Sequence, residues 1–305
     1  MVRHRISPLE AVGLKPIGRG LEQCRKAIAG SDYEAAARWD LSSLRIFRPA
    51  LGPATWAGWS RPDRKIPILN FFNRDHAARD EGYDVRTTRV RDYRGGRRTY
   101  NGHMGTDFVV PVGSTVCAAA AGRVVRVENL MQRGGLKIVI DHGGGLITLC
   151  GHLARAFVRA GDVVGRGDRI GLSGFSAVDG ILFFPWVPPH VHMTVVLGGV
   201  PIDPFAADGE VSMWRSEQPP TTRDTEMLPP IAWDHAAVER TLRSCRDPEL
   251  VADFDTWREP GHAAVYWQVF SYAAFTEHPP LYAGECVRRP FLHLPFDPDE
   301  FAGIA

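Results

Sequence analysis

The chain has 305 residues, enough for one large domain or two ordinary ones. Hydrophobic residues make up 44%, so a sizeable core can be buried, and 36 basic residues nearly cancel 35 acidic ones. That balance gives no overall drive toward nucleic acid or a membrane surface.

The first residues, "MVRHRISPLEAVGLKPIGRG", are basic but lack the apolar core of a signal peptide. No stretch of the chain is apolar for the length a membrane span needs. Residues 1 to about 60 read as loose and helical, with "LEQCRKAIAGSDYEAAARW" as the helical part. "RPDRKIPILNFF" reads as an incoming strand after a proline-marked turn. "RVRDYRGGRRTY" is locally basic and reads as a solvated loop. From about 98 to 205 the texture changes to short Val/Ile-rich runs between glycines. "RVVRV", "LKIVI", "LITLC" and "RIGLSG" are strand-length. "DHGGG" between the second and third is a glycine-rich hairpin turn, so those strands are expected to pair antiparallel. A proline-rich linker, "SEQPPTTRDTEMLPP", then leads to three helical stretches, with Asp234 and Asp247 where N-caps belong. The cysteines (Cys24, Cys117, Cys150, Cys245, Cys286) are scattered and form no CxxC. They suit neither a disulfide framework nor a thiolate metal site. Taken alone, these features favour a soluble chain in a reducing compartment, or one lacking its export signal.

The chemistry lies in the middle block, in three histidine features: "HMGTD" (His103, Asp107), "CGHL" (His152) and "PHVHMTVV" (His190, His192). On a strand, residues i and i+2 face the same side. His190 and His192 therefore project together, roughly 6.6 Å apart at the backbone. Paired imidazoles suit a metal site with a neighbouring acid/base group. His103 and Asp107 would stand about 13 Å apart in a fully extended strand, too far to share one metal. Gly105 between them permits a bend or bulge that draws both side chains inward. Two histidines and one carboxylate leave a fourth position open for water, as catalytic zinc sites do.

These residues resemble the lysostaphin/LytM-like family of zinc metallopeptidases. The family pattern runs HxGxD, GxxVxAxxxGxV, a hairpin ending in Tyr-x-His-Leu, VxxGxxVxxGxxIGxxG, then HxH. The sequence offers "HMGTD", "GSTVCAAAAGRV", "CGHL", "VRAGDVVGRGDRIGLSG" and "HVH" in that order, with "GGVPIDPF" as the closing segment. The resemblance implies that His103, Asp107 and His192 bind one Zn2+ per chain. It implies that His152 and His190 flank the attacking water and move protons. It also implies an α+β chain: a mainly antiparallel β peptidase domain of duplicated-hybrid-motif type over 98–205, with partly helical extensions at 1–97 and 206–305. The implied activity is zinc-dependent endopeptidase action on peptidoglycan stem or cross-link peptides, in the cell envelope or periplasm, with no nucleic-acid partner. A non-catalytic module on the same fold and a zinc peptidase acting on a protein substrate are the alternatives.

Three departures stand out. Cys150 occupies the tyrosine position, and Thr194 stands where a glutamate is common. The apolar segment 175–189 is longer than usual and is expected either to wall the substrate groove or to complete the core. His142 is expected in the hairpin turn, away from the metal. Cys150 and His152 are expected on one strand face, where a thiol–imidazole pair is conceivable. Ser173 lacks nucleophile-elbow spacing. The carrier-domain likeness of "VRAGDVVGRGDRI" lacks the lysine that such domains present at a hairpin tip. His235, His262, His278 and His293 are expected as surface or core residues.

Overall fold

The computed structural model describes residues 6–14, 17–75, 84–132, 134–216 and 218–305. In the N-terminal part, helices α1 (Pro8–Ala11), α2 (Ile17–Ala29) and α3 (Gly52–Trp56) precede strand β1 (Lys65–Ile66). The central part holds β2 (Thr106–Val109), β3 (Thr115–Cys117), β4 (Gly122–Leu130), β5 (Gly135–Asp141), β6 (Leu146–Ala156), β7 (Val163–Val164) and β8 (Arg169–Ser173). Helix α4 (Val178–Leu182), β9 (His190–Leu197) and β10 (Val200–Ile202) complete it. The C-terminal part carries α5 (His235–Arg243), α6 (Pro248–Phe254), α7 (Pro260–Phe270) and β11 (Gly303–Ile304).

The sheet runs β10–β9–β6–β5–β4–β7, with β2 added to β9, and β8 joining β6 to β3. All pairings in this sheet are antiparallel. Its long strands are valine- and isoleucine-rich because both faces are covered, and alternate side chains enter different cores. From β5, Ile138 and Ile140 join one core, together with Phe108, Met193, Leu292 and Phe296. Val139 joins the other, against Val265, Tyr266 and Val269 of α7. Helix α7 is buried nearly all round, from Gly261 to Val269, and its sequence is apolar all round to match.

Most expected elements form. The "DHGGG" turn joins β5 to β6 with Asp141 opposite Ile147. Gly143, Gly144 and Gly145 all take left-handed backbone there, which favours glycine. Asp234 caps α5 by accepting from the Ala237 N–H, and Asp247 caps α6 by accepting from the Glu249 N–H. Two elements are shorter than expected. Helix α2 stops at Ala29, because Gly30 turns left-handed and its N–H closes on the Lys26 carbonyl. The "RPDRKIPILNFF" strand contracts to two residues paired in parallel with β11. Among the described residues no helix is long and apolar enough to cross a membrane.

Candidate metal centre

Strands β2 and β9 pair so that Asp107 lies opposite His192, and Gly151 of β6 lies opposite His192 on its other side. His103 sits in the turn just before β2, where its ring meets both. His103 Nε2 is 3.0 Å from Asp107 Oδ1 and 3.2 Å from His192 Nδ1, and His192 Nδ1 is 2.8 Å from the same oxygen. Donors about 2.0–2.1 Å from a tetrahedral zinc stand roughly 3.4 Å apart, so this set is close to the required size. Among the described residues these three form the one group of histidine, cysteine and carboxylate side chains gathered for a metal ion.

Neighbouring acceptors set the tautomers, because a carbonyl can only accept. His103 Nδ1 donates to the Phe71 carbonyl at 2.6 Å, which leaves Nε2 as a lone pair within the ligand set. His192 Nε2 meets Thr194 Oγ1 at 3.1 Å, which leaves Nδ1 for the ligand set. Asn70 Nδ2 donates to Asp107 Oδ2 at 2.9 Å and orients the carboxylate. Supports of this kind fix ligand rings and raise their basicity. Burial pushes the Asp107 carboxyl up, but the His103, His190 and His192 imidazoles outweigh it and hold it well below the usual carboxylate range. Burial lowers the His192 pKa against the pull of Asp107, so the ring stays neutral, as a metal ligand must.

The other two predicted residues stand beside this set. His190 Nδ1 donates to the Pro188 carbonyl at 2.9 Å, and its Nε2 lies 3.7 Å from Asp107 Oδ1. His152 Nδ1 donates to the Ser176 carbonyl at 2.8 Å. Its ring is 4.8 Å from that of His190 and 5.9 Å from that of His192. Burial, then His190 and His192, hold the His152 pKa well below the usual imidazole range. Both rings tie Nδ1 to a carbonyl, which turns Nε2 away from that carbonyl. A cavity of about 180 Å³ opens on His103, His152 and His192. Tyr100 lines it too, with its ring 4.5 Å from that of His103.

The chain bends at Gly105 as expected, with φ outside the left-handed region, and His103 and Asp107 come together. A Cβ there would meet His192 Nε2 at 2.6 Å and the Met193 carbonyl at 2.7 Å, so glycine is required by close approach. Cys150 and His152 do not share a face. The β5–β6 register shifts beside them and His152 takes φ +58°, so Cys150 enters the core while His152 turns to the metal set. Burial pushes the Cys150 thiol up to about 12. The segment 175–189 does part of each of the two things expected of it. Ala177, Val178 and Asp179 reach the cavity, and Phe175 and Val187 are buried. Phe184 and Trp186 are half exposed, Phe184 against Trp56 of the N-terminal part.

His142 lies in the hairpin turn away from the ligand set, fully buried, with Nδ1 on the Ala121 carbonyl and Nε2 on Thr148 Oγ1. Sequence reasoning missed Asn70, Thr194, Tyr100 and the carbonyls of Phe71, Ser176 and Pro188. Asn70 falls inside the expected incoming strand and Tyr100 at the end of the expected basic loop, neither marked by any site pattern, and a backbone carbonyl leaves no signal in residue identity. Thr194 was within reach: on a strand it shares a face with His192, two residues away.

Residues 101–204 match Peptidase family M23, so this part of the chain is similar to that family. Over 107 residues it is 36% identical to peptidoglycan DD-endopeptidase ShyA of Vibrio cholerae, covering 35% of this chain and 23% of that one. Peptidoglycan DD-endopeptidase ShyC of the same organism is 36% identical over 103 residues, covering 33% and 22%. The chain thus spans about a quarter of the length of the curated relatives it matches. Among solved structures, a zinc-containing peptidase from Vibrio cholerae aligns with 26% identity and a TM-score of 0.33, over 48% of this chain and 37% of that one.

Proposed function

We propose that the protein is a zinc-dependent endopeptidase that hydrolyses peptide bonds in peptidoglycan stem or cross-link peptides. The observation that carries this reading is the convergence of His103 Nε2, Asp107 Oδ1 and His192 Nδ1, with two further imidazoles beside them whose Nδ1 protons are tied to carbonyls. His103, Asp107 and His192 would hold one Zn2+. When bound, zinc lowers the pKa of a coordinated water toward ~7 and polarises a carbonyl. His190, whose Nε2 is nearest the ligand set, is placed to accept the proton of the attacking water. His152, held by the Ser176 carbonyl, is placed to accept a hydrogen bond from that water and orient it, and the departing amine takes back the proton that His190 accepted. Imidazoles suit both tasks near neutral pH. The peptidase unit is proposed to run over 98–205, with 1–97 and 206–305 as flanks. The family match and the named activities of ShyA and ShyC support the substrate class, and a wall substrate implies that the protein works in the cell envelope.

Incubation with purified peptidoglycan, followed by mass spectrometry of the soluble products, tests this. Release of peptide-cleaved cross-link fragments, stopped by a zinc chelator, is expected. Products cut only in the glycan strand, or cleavage of a protein substrate with no wall chemistry attacked, would overturn it.

A further inference from the structure

The cavity beside the metal set is not made by the central part alone. Its lining includes residues of both flanks: Ala27, Tyr33 and Ala35 from the N-terminal part, and Phe270, Tyr272 and Ala273 from the C-terminal part. These two segments are fastened to each other. Ser271 Oγ donates to Glu34 Oε1 at 3.0 Å, and Lys26 of α2 forms an ion pair with Glu249 of α6. The N-terminal segment is also anchored to the central part. The Met131 N–H donates to Gln23 Oε1 at 2.7 Å, and Asn129 Nδ2 donates to the Gly13 carbonyl at 2.9 Å. The wall is therefore built from contacts on three sides.

We infer that the two flanks form a substrate-binding wall that selects peptides with small side chains opposite the metal set. The inference rests on the peptidase reading above and adds the residues that set its specificity. The cavity volume of about 180 Å³ lies below the ~300–1,000 Å³ of typical ligand pockets. Alanines at 27, 35 and 273 line it together with Tyr33, Phe270 and Tyr272, and their small side chains take up little of its space. An extended peptide of alanine- or glycine-sized residues fits such a slot, whereas a branched or aromatic side chain on that side meets the wall. Ala35 and Ala273 are only partly buried, so a larger side chain at either projects into the cavity and not into a core.

Ala35→Phe and Ala273→Phe test this, one from each flank, each in the full chain. Zinc content is measured alongside kcat/KM on two peptides, one of alanine and glycine only and one bearing a leucine-sized residue. Both variants are expected to keep one zinc and to sharpen discrimination against the larger peptide by ~10-fold or more, the scale of a methylene-sized change in a pocket. Tyr272→Ala enlarges the cavity and is expected to shift the ratio the other way, which keeps the test decisive if a filled variant fails to fold. An unchanged ratio of kcat/KM values in the folded variants, with the wild type active, overturns this inference alone. A wild type that cleaves neither these peptides nor peptidoglycan overturns the peptidase reading and this inference with it.

Discussion

Replacing Gly105 with alanine adds one methyl group, and the structure says where it goes. The new Cβ lies 2.6 Å from His192 Nε2, 2.7 Å from Cε1 of the same ring, and 2.7 Å from the Met193 carbonyl oxygen. Carbon atoms pack at about 3.5–4.0 Å, so something must move by close to an ångström. Residue 105 is not in the left-handed region, so alanine meets no backbone penalty, and the whole effect is steric. The Met193 carbonyl belongs to β9, fixed between β2 and β6. The His192 ring is partly exposed to the cavity and gives way more easily. Overpacking of this kind typically costs about 1–3 kcal/mol. If the ring takes the displacement, Nδ1 leaves its place 2.8 Å from Asp107 Oδ1, and that energy appears as weaker metal binding. At 1.4 kcal/mol per decade the expected loss is ~5- to 150-fold in zinc affinity. Competition with a chromophoric chelator measures it, with circular dichroism as a check on folding. Unchanged zinc affinity accompanied by a lower melting temperature would refute the reasoning, because the backbone and not the ligand would have moved.

Other outcomes are expected. His103→Ala, Asp107→Ala and His192→Ala should each lose tight zinc, whereas His152→Ala and His190→Ala should keep it and lose ~100- to 10,000-fold in turnover, read by elemental analysis and steady-state kinetics. Burial keeps His142 neutral in the folded chain, while the unfolded chain takes up its proton below about pH 6.5. Its share of stability is therefore lost as pH falls through that value, and in thermal melts of metal-free protein His142→Gln should lose less on acidification than the wild type. Burial lifts the Cys117 and Cys150 thiols to about 12, so in native protein both should resist alkylation at neutral pH, by roughly a thousandfold against an ordinary thiol, and react only after denaturation, as peptide mapping would reveal. Phe175→Ala, at a fully buried ring, should cost ~3–5 kcal/mol in denaturant unfolding, and Phe184→Ala and Trp186→Ala, half exposed, much less.

The strands of the central part were legible because short Val/Ile-rich runs and glycine punctuation survive even where both faces are buried. Ile138, Val139 and Ile140 show why the runs look uniformly apolar: successive side chains enter two different cores, and both want the same residue type. Asp234 and Asp247 signalled their helices because capping is a local bond to the chain's own backbone. The candidate ligands were legible as residue types at strand spacing. What could not be read was set by distant contacts. The face of His152 depends on a register shift between β5 and β6, which alternation within β6 does not encode. The reason for Gly105 lies 87 residues away, at His192. The flanks' share of the cavity depends on contacts such as Ser271 to Glu34, across 237 residues, for which no local pattern exists.

Titration of zinc into metal-free protein, while following cleavage of cross-linked peptidoglycan, tests the central claim most directly. Activity should be absent at the start, rise in proportion to added zinc, and level off at one equivalent per chain. Cleavage that proceeds fully without zinc, or a protein that binds one zinc tightly and leaves every peptide bond of the wall intact, would contradict it.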